Sequence, residues 1–287
     1  MSVASTFHDR LQEAWSHSGS LICVGLDPVR SRLPAAFRES PSGLRDFCCA
    51  IAEATADLVC AFKPQVAHFA AEGAEDQLAS VIAFIQQRWP EVPVILDAKR
   101  SDIGATAELY AKEVFERYNA DAVTINPYLG EESIRPFLGY PGRGVALLCR
   151  TSNAGSGWLQ AHPPEAPLYL RVAAAAEAWN REGNLMLVAG ATYPDELARI
   201  REAVGPMPLL VPGVGAQGGD LAQALEAGLD ADRQGLIINA SRSVLYAGTD
   251  DDSAPFADAS REAALALWQA VNAIRDNLGS PAIARNL

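Results

Sequence analysis

Residues 93–102 read Pro93-Val94-Ile95-Leu96-Asp97-Ala98-Lys99-Arg100-Ser101-Asp102, and Ile103-Gly104-Ala105-Thr106-Ala107 follows. The uncharged run Pro93–Leu96 predicts a buried strand. A strand places residues i and i+2 on one face, so Asp97 and Lys99 are expected to project together while Ala98 points away. Asp102 comes three residues after the lysine, where a helical pattern begins. The stretch therefore predicts a βα unit whose strand ends in a carboxylate, an ammonium and a second carboxylate. In α/β folds, ligands bind at that end of the strand.

The same unit recurs outward in both directions. Strand-like runs lie at Leu21–Asp27, Leu58–Lys63, Val92–Lys99, Ala122–Tyr128, Gly144–Ser152, Leu185–Thr192, Pro208–Val214 and Gly235–Ser241. Helical patterns lie between them at Leu44–Thr55, Glu75–Trp89, Ile103–Tyr118, Glu131–Leu138, Leu168–Arg181, Pro194–Val204 and Asp220–Ala227, with a last one at Arg261–Leu278. Eight strand–helix units in 287 residues predict one α/β domain, a (β/α)8 TIM barrel spanning residues 1–287. A doubly wound sheet also alternates, but it usually needs fewer strands and leaves two edges. An extra helix is expected at Phe7–Ser16, and longer βα loops near 28–43, 153–167 and 247–259. The 153–167 loop is a candidate lid, and Asp250-Asp251-Asp252 reads as a solvated loop.

Composition narrows the function. The formal net charge of -12 argues against nucleic-acid and anionic-membrane partners, so an anionic ligand needs locally concentrated basic groups. No signal pattern or spanning apolar run is present, and a cytoplasmic protein is expected. Five cysteines, Cys23, Cys48, Cys49, Cys60 and Cys149, form no C-x-x-C pair and read as reduced, mostly buried thiols.

Pro212-Gly213-Val214-Gly215-Ala216-Gln217-Gly218-Gly219 follows the seventh strand, and Asn239-Ala240-Ser241-Arg242 closes the eighth. Glycines let backbone N–H groups approach an anion, and an arginine fork suits phosphate. Loops after strands seven and eight are the usual phosphate site of this barrel. The alternative is a glycine-rich turn beside a surface arginine. Gly213 to Gly218 also spells G-x-G-x-x-G, but a dinucleotide fingerprint belongs on a first βαβ unit, not after a seventh strand. Asp27 and Lys63 end the first two strands in charge, and Thr151-Ser152-Asn153 ends the fifth in neutral hydrogen-bonding groups. Each is either a solvated strand end or a ligand contact.

Asp97-x-Lys99-x-x-Asp102, with Thr106 one helical turn later, resembles the signature of the orotidine 5′-phosphate decarboxylase family. Phe62-Lys63-Pro64, Arg150-Thr151-Ser152-Asn153 and Gly190-Ala191-Thr192-Tyr193-Pro194 are similar to its longer-chain bacterial branch. The resemblance runs from about Asp27 to Arg242; a departure is Ser241, where shorter members often carry glycine. It implies decarboxylation of orotidine 5′-phosphate to uridine 5′-phosphate in de novo pyrimidine biosynthesis, without metal or cofactor. Lys99 would protonate the pyrimidine carbanion, with Asp97 near the departing carboxylate. Asp27, Lys63 and Ser152 would meet ribose and pyrimidine, with the neighbouring Thr151 an alternative for the base. Pro212, Gln217 and Arg242 would hold the phosphate. Asp102 and Thr106 would reach the neighbouring subunit's site, making a homodimer with composite sites.

The residues fit this chemistry, because two neighbouring carboxylates should keep Lys99 charged. A Schiff-base lyase needs a neutral lysine instead. Three other readings remain. One is a magnesium-dependent sugar-phosphate lyase using the carboxylates as ligands. Another is a non-catalytic sugar-phosphate-binding barrel. The third is a buried salt-bridge network with Asp102 or Ser101 capping the helix.

Overall fold

Strands covered on both faces need near-continuous apolar sequence, and all eight apolar runs do form strands. The computed structural model describes residues 5–214, 219–248 and 256–279. The strands are β1 (Ile22–Leu26), β2 (Ala61–Pro64), β3 (Ile95–Arg100), β4 (Ala122–Ile125), β5 (Gly144–Arg150), β6 (Leu185–Ala189), β7 (Leu209–Val211) and β8 (Leu236–Ala240). They lie parallel in the order β2-β1-β8-β7-β6-β5-β4-β3. Parallel bridges Phe62↔Val94 and Gln65↔Asp97 join β2 to β3, and the Phe62 N–H donates to the Pro93 carbonyl at 3.0 Å. The sheet thus closes into the TIM barrel.

Several strands stop earlier than their apolar runs. β4 ends at Ile125 rather than Tyr128, β6 at Ala189 rather than Thr192, and β7 at Val211 rather than Val214. The remaining residues leave the ladder to build the loops at the carboxyl end. Helix boundaries shift similarly. The expected helix 103–118 is a helix at Gly104–Lys112 that widens into a π turn at Glu113–Arg117. Its N-cap position is Ile103, without a side-chain cap, so neither Asp102 nor Ser101 caps it. Asp220 is the N-cap of Leu221–Gly228 rather than its first residue, its carboxylate accepting from the Gln223 N–H at 3.0 Å. The last helix begins at Phe256, earlier than expected, and residues 249–255 of the expected 247–259 loop lie outside the described residues. The 28–43 and 153–167 loops carry short helical turns of their own.

The amino-terminal end of the barrel is built for stability. Helix Phe7–Ser18 opens with a capping box between Thr6 and Asp9 and closes on Gly19 in the left-handed region (φ 58°). Its buried stripe, Phe7, Leu11, Ala14 and Trp15, is the spacing of one helix face. A Cβ on Gly144, at the start of β5, would fall 2.5 Å from the Phe7 ring, so this helix packs directly under the barrel. Buried Asp121, just before β4, pairs with Arg10 (2.8 Å) and Arg143 (3.3 Å) and accepts from the Val94 N–H (2.9 Å). Cys23, Cys48, Cys60 and Cys149 are free and buried, and burial pushes the Cys23 thiol up to about 12. No helix among the described residues is long and apolar enough to cross a membrane.

Candidate active site

The carboxyl end of the barrel opens into a cavity of about 710 Å³. At its floor β3 departs from regular alternation. While β3 advances from Leu96 to Arg100, its partner strand advances only from Val123 to Ile125, and Lys99 sits in the left-handed region (φ 46°). The two extra residues form a bulge, the kind of irregularity that re-aims a side chain. Asp97 and Lys99 thus meet across a bulged rather than a regular stretch of strand.

Their contact is tight. Lys99 Nζ donates to Asp97 Oδ1 at 2.6 Å, and Lys63 Nζ, from β2, donates to Asp97 Oδ2 at 2.9 Å. Gln65 Nε2 adds a bond to Oδ2 at 3.2 Å. Thr124 Oγ1, from β4, donates to Asp97 Oδ1 at 2.8 Å and accepts from the N–H groups of Ala98 and Lys99 at 3.0 Å each. The result is an ammonium–carboxylate–ammonium row with the charges alternating. Burial alone would push Asp97 up, but the two ammonium groups more than offset it and hold the carboxyl far below the usual carboxylate range. Burial would lower Lys63, yet the attraction of Asp97 and Asp27 leaves it above the usual lysine range. Lys63 and Asp97 are thus both charged at neutral pH. Their side chains are 5% and 10% exposed, whereas that of Lys99 is 48% exposed and faces the cavity. Lys63 is the buried counter-ion, and Lys99 is the cation a ligand can reach.

Thr124 is the residue that sequence reading missed. A threonine inside a strand is unremarkable by propensity, and only its position between Val123 and Ile125, opposite a charged strand end, marks it. Thr124→Val is expected to cost about 1–3 kcal/mol of stability, because it leaves two N–H groups and a carboxylate oxygen short of a partner. Denaturant unfolding measures this, and an unchanged midpoint would mean that the hydroxyl is not what fixes Asp97.

The cavity also gathers Asp27, Ser152, Pro212 and Arg242. Asp27 Oδ1 and Asn239 Oδ1 are buried acceptors with no hydrogen-bond partner among the described residues, and both residues line the cavity. Arg242 begins the helix Arg242–Leu245 after β8. Gln217, the remaining expected phosphate contact, lies outside the described residues. Close packing sets two strand ends. A Cβ on Gly190 would fall 2.8 Å from Ser152, and one on Gly25 would fall 1.9 Å from Ser241 Oγ.

Asp102 and Thr106 do not join this cluster. Neither lines the cavity, and Asp102 Oδ1 accepts from its own neighbour, the Ile103 N–H, at 2.8 Å. Within its own chain, then, Asp102 does not stand beside Lys99. There Asp97 is the carboxylate partner of Lys99, and the short Asp102 side chain is used by local backbone. Thr106 is exposed, between exposed Ile103 (57%) and Leu109 (66%).

Arg150, at the end of β5, is buried between Glu196 and Ser156 and lies 3.8 Å over the Tyr193 ring. Gln160 Oε1 accepts from the Thr151 N–H at 2.8 Å. These contacts tie the 153–160 turn to the strand and hold Thr151, Ser152 and Asn153 toward the cavity. Chemically, the site offers a charged ammonium on a rigid floor, unsatisfied acceptors along one wall and an arginine at another point of the rim. That combination suits an anionic, hydroxylated ligand that develops negative charge beside Lys99.

Comparison with known proteins bears on this geometry. Residues 20–254 match the family described as "OMPdecase: Orotidine 5'-phosphate decarboxylase / HUMPS family". The orotidine 5′-phosphate decarboxylase of Ralstonia pickettii (strain 12J) is 54% identical over 272 residues, covering 94% of this chain and 99% of the relative. That of Aromatoleum aromaticum is 55% identical over 269 residues, 93% of this chain and 98% of the relative. The solved structure of Leishmania donovani OMP decarboxylase superposes with a TM-score of 0.81 at 39% identity, covering 95% of this chain and 100% of that one.

Proposed function

The chain belongs to the orotidine 5′-phosphate decarboxylase family, in its longer-chain branch, and from that premise we propose how the residues of its cavity divide the reaction. The activity is decarboxylation of orotidine 5′-phosphate in pyrimidine biosynthesis. The bond between carbon 6 and the carboxylate breaks, its electron pair stays on carbon 6, and carbon dioxide leaves. Lys99 then gives its proton to carbon 6 and regains one from solvent. The observation that carries this assignment is the Lys99 ammonium held at 2.6 Å by Asp97 and facing the cavity. Fixed before substrate arrives, it stabilises the developing carbanion without reorganising. Asp97 lies beside the departing carboxylate, and Lys63 keeps it ionised and in place. The unpartnered Asp27 oxygen accepts from a ribose hydroxyl, Ser152 or its neighbour Thr151 meets the pyrimidine, and Arg242 with Pro212 and Gln217 grips the phosphate.

The same reading makes the enzyme a homodimer. Asp102, just before the helix Gly104–Lys112, and Thr106, in its first turn, both lie outside their own cavity. With exposed Ile103 and Leu109 beside them, they form a face that suits the mouth of a second subunit. An isologous pairing would have each subunit lend both residues and receive the same two.

Lys99 supplies the charge that a metal lyase takes from its ion. Among the described residues no group of three or more His, Cys, Asp or Glu side chains could hold a metal. The test is to strip the purified enzyme with a chelator and follow the ultraviolet absorbance of orotidine 5′-phosphate. Turnover should persist in chelator and should not rise with added magnesium. A strict magnesium requirement would favour the sugar-phosphate lyase, and no absorbance change under any condition would favour a binding protein.

A further inference from the structure

We infer that Arg32 is a second cation for the substrate's phosphate, held beside Arg242 by the ring of Tyr246. The inference rests on the reading of Arg242 as the phosphate anchor.

The loop after β1 carries three arginines within nine residues, Arg30, Arg32 and Arg38. Two of them are already engaged. Arg30 pairs with Glu72 at 2.7 Å and donates to the carbonyls of Arg38 and Ser40 at 3.3 Å. Arg38 donates twice to the Leu33 carbonyl, at 3.3 and 2.9 Å. Arg32 differs. It has no carboxylate partner and no hydrogen bond among the described residues, and it lines the cavity. Its guanidinium lies 3.8 Å from the centroid of the Tyr246 ring, a cation–π contact that leaves all five N–H donors unused.

Tyr246 is a fixed platform. Its hydroxyl donates to the Asp27 carbonyl at 3.0 Å and accepts from the Val29 N–H at 2.8 Å, and Phe47 stacks on it with ring centroids 6.1 Å apart. Tyr246 also follows Arg242 by four residues, the spacing that places two side chains on one helix face. Arg32, on the Tyr246 ring, and Arg242, four residues before Tyr246 in the chain, thus line the same cavity.

The charge of the substrate gives this pairing a use. A phosphate monoester carries between one and a half and two negative charges at neutral pH, and one arginine neutralises only one. The chain itself carries a formal net charge of -12, so the general field repels such a ligand and local cations must overcome it. A guanidinium with free donors, parked on a ring rather than in an ion pair, can turn to a phosphate without breaking a carboxylate contact.

The test compares orotidine 5′-phosphate with orotidine, the same nucleoside without phosphate, in wild type, Arg32→Ala, Arg32→Lys and Arg242→Ala. Inorganic phosphate is titrated as an inhibitor of orotidine turnover in each. Arg32→Ala is expected to lower kcat/KM for the phosphorylated substrate about 10-fold, and Arg242→Ala about 100-fold, the range for charge-assisted hydrogen bonds. Orotidine should be nearly insensitive to either change, and phosphate should inhibit Arg32→Ala more weakly. Arg32→Lys should keep part of the effect as a point charge. Equal losses of Arg32→Ala on both substrates, or no loss, would make Arg32 only a packing partner of Tyr246 and overturn the inference. If Arg242→Ala too loses equally on both substrates, the phosphate assignment itself falls and the inference with it.

Discussion

Lys99→Ala should lower kcat by on the order of 10⁴-fold or more, since the proton donor and the cation nearest the carbanion disappear together. The protein should nevertheless remain folded. Lys99 is 48% exposed, and Asp97 keeps its contacts to Lys63 and Thr124 when the second ammonium is gone. Nucleotide binding should also persist, because the proposed ribose and phosphate contacts lie elsewhere in the cavity. It should even tighten for ligands lacking the carboxylate, which no longer needs a counter-charge. Single-turnover assays paired with calorimetric titration of uridine 5′-phosphate measure both halves. Activity within tenfold of wild type would remove Lys99 from the chemistry, and loss of binding together with loss of folding would make it structural.

Mixing two dead enzymes should produce a live one. With the proposed composite sites, Lys99→Ala chains would lack the proton donor in their own cavity, while Asp102→Ala chains would lack what they lend to their partner's. In a mixed dimer, one site collects both defects and the other collects neither. Up to about half of wild-type activity per mixed dimer follows from that symmetry. Subunit exchange, followed by tagged purification of the heterodimer, separates this from residual activity of either parent. Full exchange without recovery would place Asp102 in its own subunit's site and remove the reason for composite sites.

Much of the barrel was legible in the sequence because strands buried on both faces cannot hide: each needs an uninterrupted apolar run, and the runs at Ile95 and Ile237 leave little choice. The charged floor was legible for a related reason. Asp97, Lys99 and Lys63 end apolar strands, where charge is costly unless it is used or paired. What sequence alone could not supply was geometry that depends on two strands at once. The bulge at Asp97–Lys99 exists because β4 advances by two residues while β3 advances by four, and neither strand announces it. Thr124 became significant only when the bulge brought its hydroxyl onto Asp97. Asp102 misled in the opposite direction. Its spacing placed it near Lys99 on paper, but an aspartate before a helix is readily taken by the adjacent N–H, here that of Ile103 at 2.8 Å. Arg32 was overlooked because a loop arginine carries no pattern, and its place over Tyr246 joins residues 214 positions apart.

The contact between Gly25 and Ser241 constrains how this barrel can change over generations. A methyl group at position 25 would sit 1.9 Å from the serine oxygen and 3.0 Å from its Cβ. Rotating the hydroxyl away would give up its 3.3 Å bond with Asn239. A side chain at residue 25 therefore requires Ser241 to shift. Ser241→Gly would remove the two nearest contacts and open room at position 25. Substitutions at the two sites are thus expected to be coupled rather than additive.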